Sequence, residues 1–230
     1  MAGNELDRLY ADTSSAKQNL KEASSSAKDA INRRKAILAQ MENLRRKIAA
    51  AAAEYEESKA EYERLAAELA SIPDDDDDDE SSSGANFARR QAVLGQMLQA
   101  QQRYKKAEQD KKAYAAALEK KKKEYQELQR FLNALKIRLE NLRGMFESLK
   151  KRFEEEKGKN SEVAGKFAAI QNNRFGQSAG AGQALAVSKQ NICDRGVQFC
   201  EEQKKITQGW ITTIGESMVQ EQGNGGRDYE

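Results

Sequence analysis

The chain has 230 residues, of which 38% are hydrophobic and 33% charged, with a mean hydropathy of −0.90 and a formal net charge of +2. A single proline argues against a compact globular domain, which needs many turns, and favours long helices. The near balance of charge predicts no general attraction to nucleic acid or anionic membranes. Because no apolar run resembles a signal peptide or a membrane span, we expect a cytoplasmic protein, with signal-less secretion as the alternative.

The first predicted element is a coiled-coil helix over residues 4–72. From Leu6 to Ile72, apolar or small residues recur in alternating steps of three and four without a slip. The polar positions of this seam are Thr13, Arg34 and Ser58. Such a heptad seam is typical of a helix that packs along a partner helix. Pro73 is expected to end the helix.

Residues 73–86, PDDDDDDESSSGAN, are predicted to form an acidic hairpin loop. Its carboxylates are weak candidates for holding Ca²⁺ or Mg²⁺, with Asp74, Asp76 and Asp78 as the ligands. A cation loop normally has spaced ligands around a glycine turn, whereas this loop has a continuous run of carboxylates. A solvated loop is therefore the favoured interpretation.

The second coiled-coil helix is predicted over residues 87–171, with a heptad seam that runs from Val93 to Ile170. The polar positions of this seam are Lys111, Lys121, Glu156 and Asn160. Glycines and small residues then predict a turn over 172–184. A third helix is predicted over 185–218, followed by a disordered tail at 219–230.

Charge predicts how the first two helices pair. Acidic residues dominate the end of the first helix, 54–72, whereas basic residues dominate the start of the second, 87–112. If the chain folds back at the loop, the acidic residues of the first helix lie beside the basic residues of the second. Such pairs set the register of two antiparallel helices. The predicted fold is therefore all-α, a long antiparallel coiled-coil hairpin. The alternative is a swapped or extended dimer, because it satisfies the same seam.

The third helix is expected to pack at the base of the hairpin and form a three-helix bundle there. The small seam residues of the first helix leave room for it: Ala16, Ala23, Ala27 and Ala30. Gly144, Gly158 and Gly165 share an outer face of the second helix, and each glycine costs about 1 kcal/mol relative to alanine. Close approach of another helix is one explanation for them, and local flexibility is the other.

The sequence contains no histidine, which excludes Ser-His and Cys-His catalysis and histidine-ligated metals. We expect no enzymatic activity, no cofactor and no small-molecule substrate. Cys193 and Cys200 lie seven residues apart on one helix face and cannot bond to each other there. They are interpreted as buried thiols, with a symmetric intermolecular bridge as the alternative. Trp210 is interpreted as an apolar anchor of the bundle.

Clusters of basic residues make both long helices net positive over 5–48 and 113–154. The interaction candidates among them are Arg33, Arg45, Lys120 and Lys122. An acidic protein surface or lipid headgroups are possible partners, and a solvated face is the simpler interpretation. The tyrosines of this region lie in the seam and not among the basic clusters, which disfavours nucleic acid.

The sequence therefore predicts a non-enzymatic structural or adaptor protein that mediates protein–protein interaction in a larger assembly or secretion machine. Its expected partners are proteins, including further copies of itself. The first alternative is a remodelling or coat protein at a membrane surface. The second is an escort, or a signal-less exported substrate, of a secretion system.

Overall fold

The computed structural model describes the backbone of residues 3–73, 80–171 and 176–219, and the side chains of 5–73, 84–169 and 181–219. It contains three helices: α1, Gly3–Ser71; α2, Glu80–Gln171; and α3, Gly176–Val219. Helices α1 and α2 pack as an antiparallel coiled-coil hairpin, and α3 packs against them as a three-helix bundle. The predicted fold class is confirmed.

Two helices begin earlier than the sequence indicates. Helix α2 starts at Glu80 and not at residue 87, and α3 starts at Gly176 and not at residue 185. The glycine at 182 serves close packing rather than a turn, because a Cβ there would lie 2.6 Å from the ring of Phe167. The Asp74–Asp79 run and residues 220–230 fall outside the described part of the chain.

The predicted seam of α1 is the buried face of the helix. Every seam position from Leu6 to Ile72 is buried or half-buried, including the polar ones. The seam of α2 is buried without interruption from Leu128 to Phe153. Its prediction is wrong at Lys111 and at Val163, which are exposed.

The chain divides into two compact units. One comprises Met1–Arg33 and Leu128–Glu230 and is called here the three-helix unit; the other, Arg34–Glu127, is the two-helix unit. The core of the two-helix unit near its loop end contains Leu65, Ile72, Val93 and Ala100.

The core of the three-helix unit combines one helix with large side chains and two with small ones. Helix α2 supplies the bulk through Leu132, Leu139, Phe146 and Phe153, all 0% exposed. Helix α1 presents buried alanines, among them Ala16, Ala23 and Ala27. Helix α3 buries mainly small or polar residues, followed by the larger Ile211 and Ile214: Ala186, Cys193, Gly196, Cys200, Gln203, Thr207, Ile211 and Ile214. The small residues of α1 and α3 accommodate the leucines and phenylalanines of α2.

Close helix approach does occur at glycine, but at different glycines from those expected. A Cβ added at Gly144, Gly158 or Gly165 would meet nothing within 4 Å, so the close-approach interpretation of these three is wrong. At Gly196, in contrast, a Cβ would lie 2.6 Å from the buried ring of Phe153. Gly196, like Gly182, therefore lets α3 approach α2 closely.

This contrast predicts opposite effects of the same substitution. Gly196→Ala should destabilise the three-helix unit by about 1–3 kcal/mol, because Phe153 has no space into which to move. Gly144→Ala should stabilise it by about 0.5–1 kcal/mol through helix propensity alone. Chemical unfolding followed by the fluorescence of Trp210, the single tryptophan, measures both. Equal effects of the two substitutions would contradict the packing at Gly196.

Candidate interaction surfaces

The seam divides the surface of the α1–α2 pair into two flanks. In heptad notation the seam residues are a and d; Leu6 and Leu69 are a positions, and Val93 and Leu149 are d positions. The residues immediately before each a position form the g flank, and those immediately after each d position form the e flank. The two flanks differ sharply in chemistry.

Ion pairs close the g flank in the two-helix unit. Arg89 donates to Glu68 at 3.2 Å, and Arg103 lies 3.0 Å from Glu61. Arg90 also donates to the backbone oxygen of Ile72, at 2.9 Å, which satisfies a carbonyl at the end of α1. The predicted pairing of acidic residues near the end of α1 with basic residues near the start of α2 is therefore present.

The g flank is closed in the same way in the three-helix unit. Arg152 contacts Glu5 at 2.7 Å and Asp12 at 3.1 Å. The hydrogen bond from Arg152 holds the pKa of the Glu5 carboxyl below its ordinary value. Arg138 donates to Asn19 at 3.3 Å. Each of these contacts joins a g position of α1 to a g position of α2.

Helix α3 covers the e flank of the three-helix unit, as its contacts with α1 show. The hydroxyl of Tyr10 donates to the backbone oxygen of Ile192 at 3.3 Å. The Nζ atom of Lys17 lies 5.4 Å from the ring centre of Phe199. Tyr10 and Lys17 are both e positions of α1.

The contacts of α3 with α2 fall on the same flank. The e residues of α2 form polar contacts with α3 at 2.6 Å, in the pairs Lys150–Glu201, Lys157–Asp194 and Arg143–Gln208. Hydrogen bonding to Glu201 raises the pKa of Lys150, and hydrogen bonding to Asp194 raises that of Lys157. Acidic side chains of α3 are thus matched to basic e residues of α2.

The e flank of the two-helix unit carries an exposed apolar patch near its loop end. Phe87 is 57% exposed, Leu94 46% and Leu98 56%. Phe87 and Leu94 are e positions, and Leu98 is the adjacent b position one turn further along. On α1, Ala66 occupies an e position and Ala70 the next b position, half-buried and exposed respectively. We call these five residues the apolar e patch.

Sequence reasoning missed the apolar e patch because it followed only the a and d seam. The detectable signal was a second set of apolar residues, each one step after a seam residue. Phe87, Leu94 and Leu98 follow residues 86, 93 and 97 in this way. A helix with such a widened apolar face packs against more than one neighbour.

The four basic candidates do not form one cluster. Arg33 belongs to the three-helix unit and is exposed. Arg45 and Lys122 occupy e positions of the two-helix unit, and Lys122 pairs with Glu119 at 2.6 Å. Lys120 is exposed beside a shallow groove between α1 and α2 on the opposite flank.

A buried arginine interrupts the apolar seam of the two-helix unit. Arg34 is only 2% exposed. Its guanidinium donates to the hydroxyl of Tyr125 at 2.6 Å and lies 5.1 Å from the ring centre. The hydrogen bond and the cation–π contact offset part of the cost of burying the charge. A buried polar contact of this kind specifies one alignment of two helices.

The two cysteines lie in the core of the three-helix unit. Cys193 is 0% and Cys200 1% exposed. Burial raises the pKa of both thiols, and that of Cys200 from 9.0 to about 11. These features favour the buried-thiol interpretation over an intermolecular bridge. Trp210 is half-buried in the same unit.

Thiol chemistry provides a test of this burial. At pH 8 we expect Cys193 and Cys200 to react with a disulfide reagent at least about 100-fold more slowly in the native protein than in denaturant, because the reactive thiolate is suppressed and shielded. Stopped-flow absorbance measures the rate. Rapid labelling of one thiol in the native protein would place that thiol at the surface.

No group of three or more potential metal-ligating side chains occurs in the described residues. Asp74, Asp76 and Asp78 lie outside them. None of the helices, over the part of the chain that is described, is long and apolar enough to cross a membrane. No protein-family model, curated protein or solved structure shows significant similarity to the chain.

Proposed function

We propose that the protein is a non-enzymatic structural or adaptor protein that acts in the cytoplasm and binds other proteins through the surface of its helical hairpin. The proposal places it within a larger assembly or a secretion machine, without a cofactor or a small-molecule substrate. Protein binding is the function for which exposed apolar side chains on an otherwise charged helical surface are best suited.

The observation that carries the proposal is the difference between the two units along the e flank. In the three-helix unit, α3 covers this flank with contacts such as Lys157–Asp194. In the two-helix unit, the same flank carries Phe87, Leu94 and Leu98, each close to half exposed or more. A partner that covers exposed apolar side chains removes their surface from water, and this burial stabilises the complex.

The competing function is association with a membrane surface. Arg45 and Lys122 occupy e positions of the two-helix unit and would favour anionic headgroups. However, a helix that lies in a membrane interface combines a continuous apolar face with a basic face. Among the described residues of α2 in this unit, the large apolar side chains that are exposed are confined to Phe87, Leu94 and Leu98. This distribution supports a protein partner over a lipid surface.

The two functions are separated by isolating the tagged full-length chain from its own cells without detergent and measuring the mass of what accompanies it. We expect a complex of fixed protein stoichiometry by light scattering behind size exclusion. Flotation of the purified chain with phosphatidylserine vesicles at low salt is the parallel assay. Flotation with vesicles, together with no stoichiometric protein in the isolated material, would overturn the proposal in favour of membrane association.

A further inference from the structure

We infer that the apolar e patch docks a short amphipathic helix of a partner protein, with acidic residues beside its apolar face, as a third helix of the two-helix unit. This inference rests on the proposed function and adds the docking surface and the class of ligand.

The chain itself shows that the e flank accepts a helix. In the three-helix unit, the e and b positions of α2 face α3, as the ion pairs Lys150–Glu201 and Glu147–Lys204, both at 2.6 Å, demonstrate. Leu94 is an e residue and Leu98 a b residue of the same helix. A ligand helix on the patch therefore contacts the same two rows of α2 positions that α3 contacts in its own unit.

The length of the patch fits a short helix. From Phe87 to Leu98 the helix axis rises about 16 Å, which is roughly three turns. This length is sufficient to receive the anchors that an amphipathic helix lays into a groove, which span about two turns from i to i+7. Across the seam, Ala66 and Ala70 provide small side chains. These small side chains leave room for a ligand helix beside α1.

The charges beside the patch select an acidic ligand. On the g flank, Arg89 and Arg103 are neutralised by carboxylates of α1. Lys105 is the next b position after Leu98, and within the described residues it forms no ion pair. Lys59, an e residue of α1, pairs with Glu63 at 4.0 Å. Lys105 thus leaves positive charge at one end of the patch.

Helix α3 itself places acidic side chains opposite basic residues of this flank. Asp194 and Glu201 of α3 pair with e lysines of α2. Covering Phe87, Leu94 and Leu98 supplies the binding free energy through apolar burial. The acidic side chains then add preference for one ligand over another, since electrostatic complementarity contributes more to specificity than to affinity.

The test uses the full-length protein and two fluorescent helical peptides of sixteen residues. Both have leucines at alternating steps of three and four; one carries glutamates beside them and the other lysines. We expect fluorescence anisotropy to give a Kd at least about tenfold lower for the acidic peptide. The double variant Leu94→Glu/Leu98→Glu should bind it at least tenfold more weakly. Lys105→Glu should remove most of the preference between the two peptides.

Ile137→Glu is the matched control, because Ile137 is 58% exposed on α2 in the three-helix unit, at the f position away from both flanks. It should bind the acidic peptide as the unmodified protein does, and all variants should keep their helical circular dichroism. Absent binding, equal binding of both peptides, or binding that survives Leu94→Glu/Leu98→Glu would overturn the inference. A second outcome would also overturn the inference. If the unmodified protein has the mass of a dimer and Leu94→Glu/Leu98→Glu has the mass of a monomer, the patch binds a second copy of the chain.

Failure of the inference is separable from failure of the proposed function. The double variant Leu94→Glu/Leu98→Glu is also isolated from the cells with its accompanying proteins. A stoichiometric complex that persists in this variant leaves the adaptor function standing and removes the patch as its binding surface. Loss of the complex in this variant, but not in Ile137→Glu, supports both.

Discussion

Phe153→Ala is expected to destabilise the three-helix unit by about 3–5 kcal/mol, the largest effect of any single substitution considered for this protein. Phe153 is 0% exposed, contacts Tyr10 edge-on with ring centroids 5.8 Å apart, and lies directly over Gly196. Its removal leaves a cavity between all three helices that small neighbours cannot fill. Chemical unfolding monitored by Trp210 fluorescence measures the change in free energy.

A double-mutant cycle with Gly196 identifies the cause. In the Phe153→Ala background, Gly196→Ala should no longer destabilise the unit, because the ring that its Cβ would meet is gone; residues in contact are the ones whose effects fail to add. Additive effects of the two substitutions would show that α3 does not approach α2 at this point. Faster labelling of Cys193 and Cys200 in Phe153→Ala provides an independent check.

Arg34→Ala is expected to destabilise the two-helix unit by about 2–4 kcal/mol, because a large buried side chain is replaced by a small one. Arg34→Leu should remain within about 1 kcal/mol of the unmodified protein or be more stable, since an apolar side chain of similar length fills the seam without a buried charge. Hydrogen exchange of residues 34–127 reports on this unit separately. Equal destabilisation by both substitutions would mean that the charge itself, and not the filled volume, stabilises the seam.

Tyr125→Phe separates the hydrogen bond from packing. It retains the ring beneath the guanidinium of Arg34 and removes the hydroxyl that accepts at 2.6 Å. We expect a loss of about 1 kcal/mol, the usual net contribution of such a bond. A change several times larger would indicate that the contact fixes the alignment of the two helices as well as stabilising it.

The seams of α1 and α2 were predictable because burial there follows apolar periodicity. Apolar residues recur at nearly every heptad step from Leu6 to Ile72, with Thr13, Arg34 and Ser58 as the polar positions, and Pro73 follows the end of the helix. Antiparallel pairing was predictable for an electrostatic reason. Acidic residues near the end of α1 lie beside basic residues near the start of α2, as in the ion pair Glu61–Arg103. Both signals lie in residue type and spacing alone.

The buried face of α3 was less accessible to sequence reasoning. Two of its large apolar residues, Leu185 and Ile206, are 59% and 47% exposed, while Thr207 is 0% exposed. Thr207 can be buried because its hydroxyl donates to the backbone oxygen of Gln203 at 2.7 Å. From Ala186 to Thr207 the buried face consists of small and polar residues and has no hydrophobic signature, whereas the buried Ile211 and Ile214 further along the helix do carry one. This face of α3 is buried because the α2 side chains opposite it are large. The sequence of α3 alone does not show this.

The apolar e patch was missed for a related reason. Three apolar residues outside a seam are ordinary on a protein surface, where a large share of the exposed area is apolar. Their meaning depends on which flank they occupy, and the flanks are distinguished by contacts across helices. Arg89–Glu68 identifies one flank and Tyr10–Ile192 the other. The patch becomes a candidate only when it is placed on the flank that α3 occupies in its own unit.

The central claim is that α1 and α2 pair antiparallel within one chain, and zero-length cross-linking of Arg103→Lys tests it most directly. A carbodiimide joins a lysine to a touching carboxylate, so the lysine introduced at position 103 should link to Glu61. The native contacts Lys150–Glu201 and Lys157–Asp194, both at 2.6 Å, serve as internal controls. The reaction is run on an equal mixture of unlabelled and ¹⁵N-labelled protein. We predict a 103–61 linked peptide in which both halves carry the same isotope. A linked peptide with mixed isotopes would show that the helices pair between chains, and formation of the control links without the 103–61 link would contradict the antiparallel register.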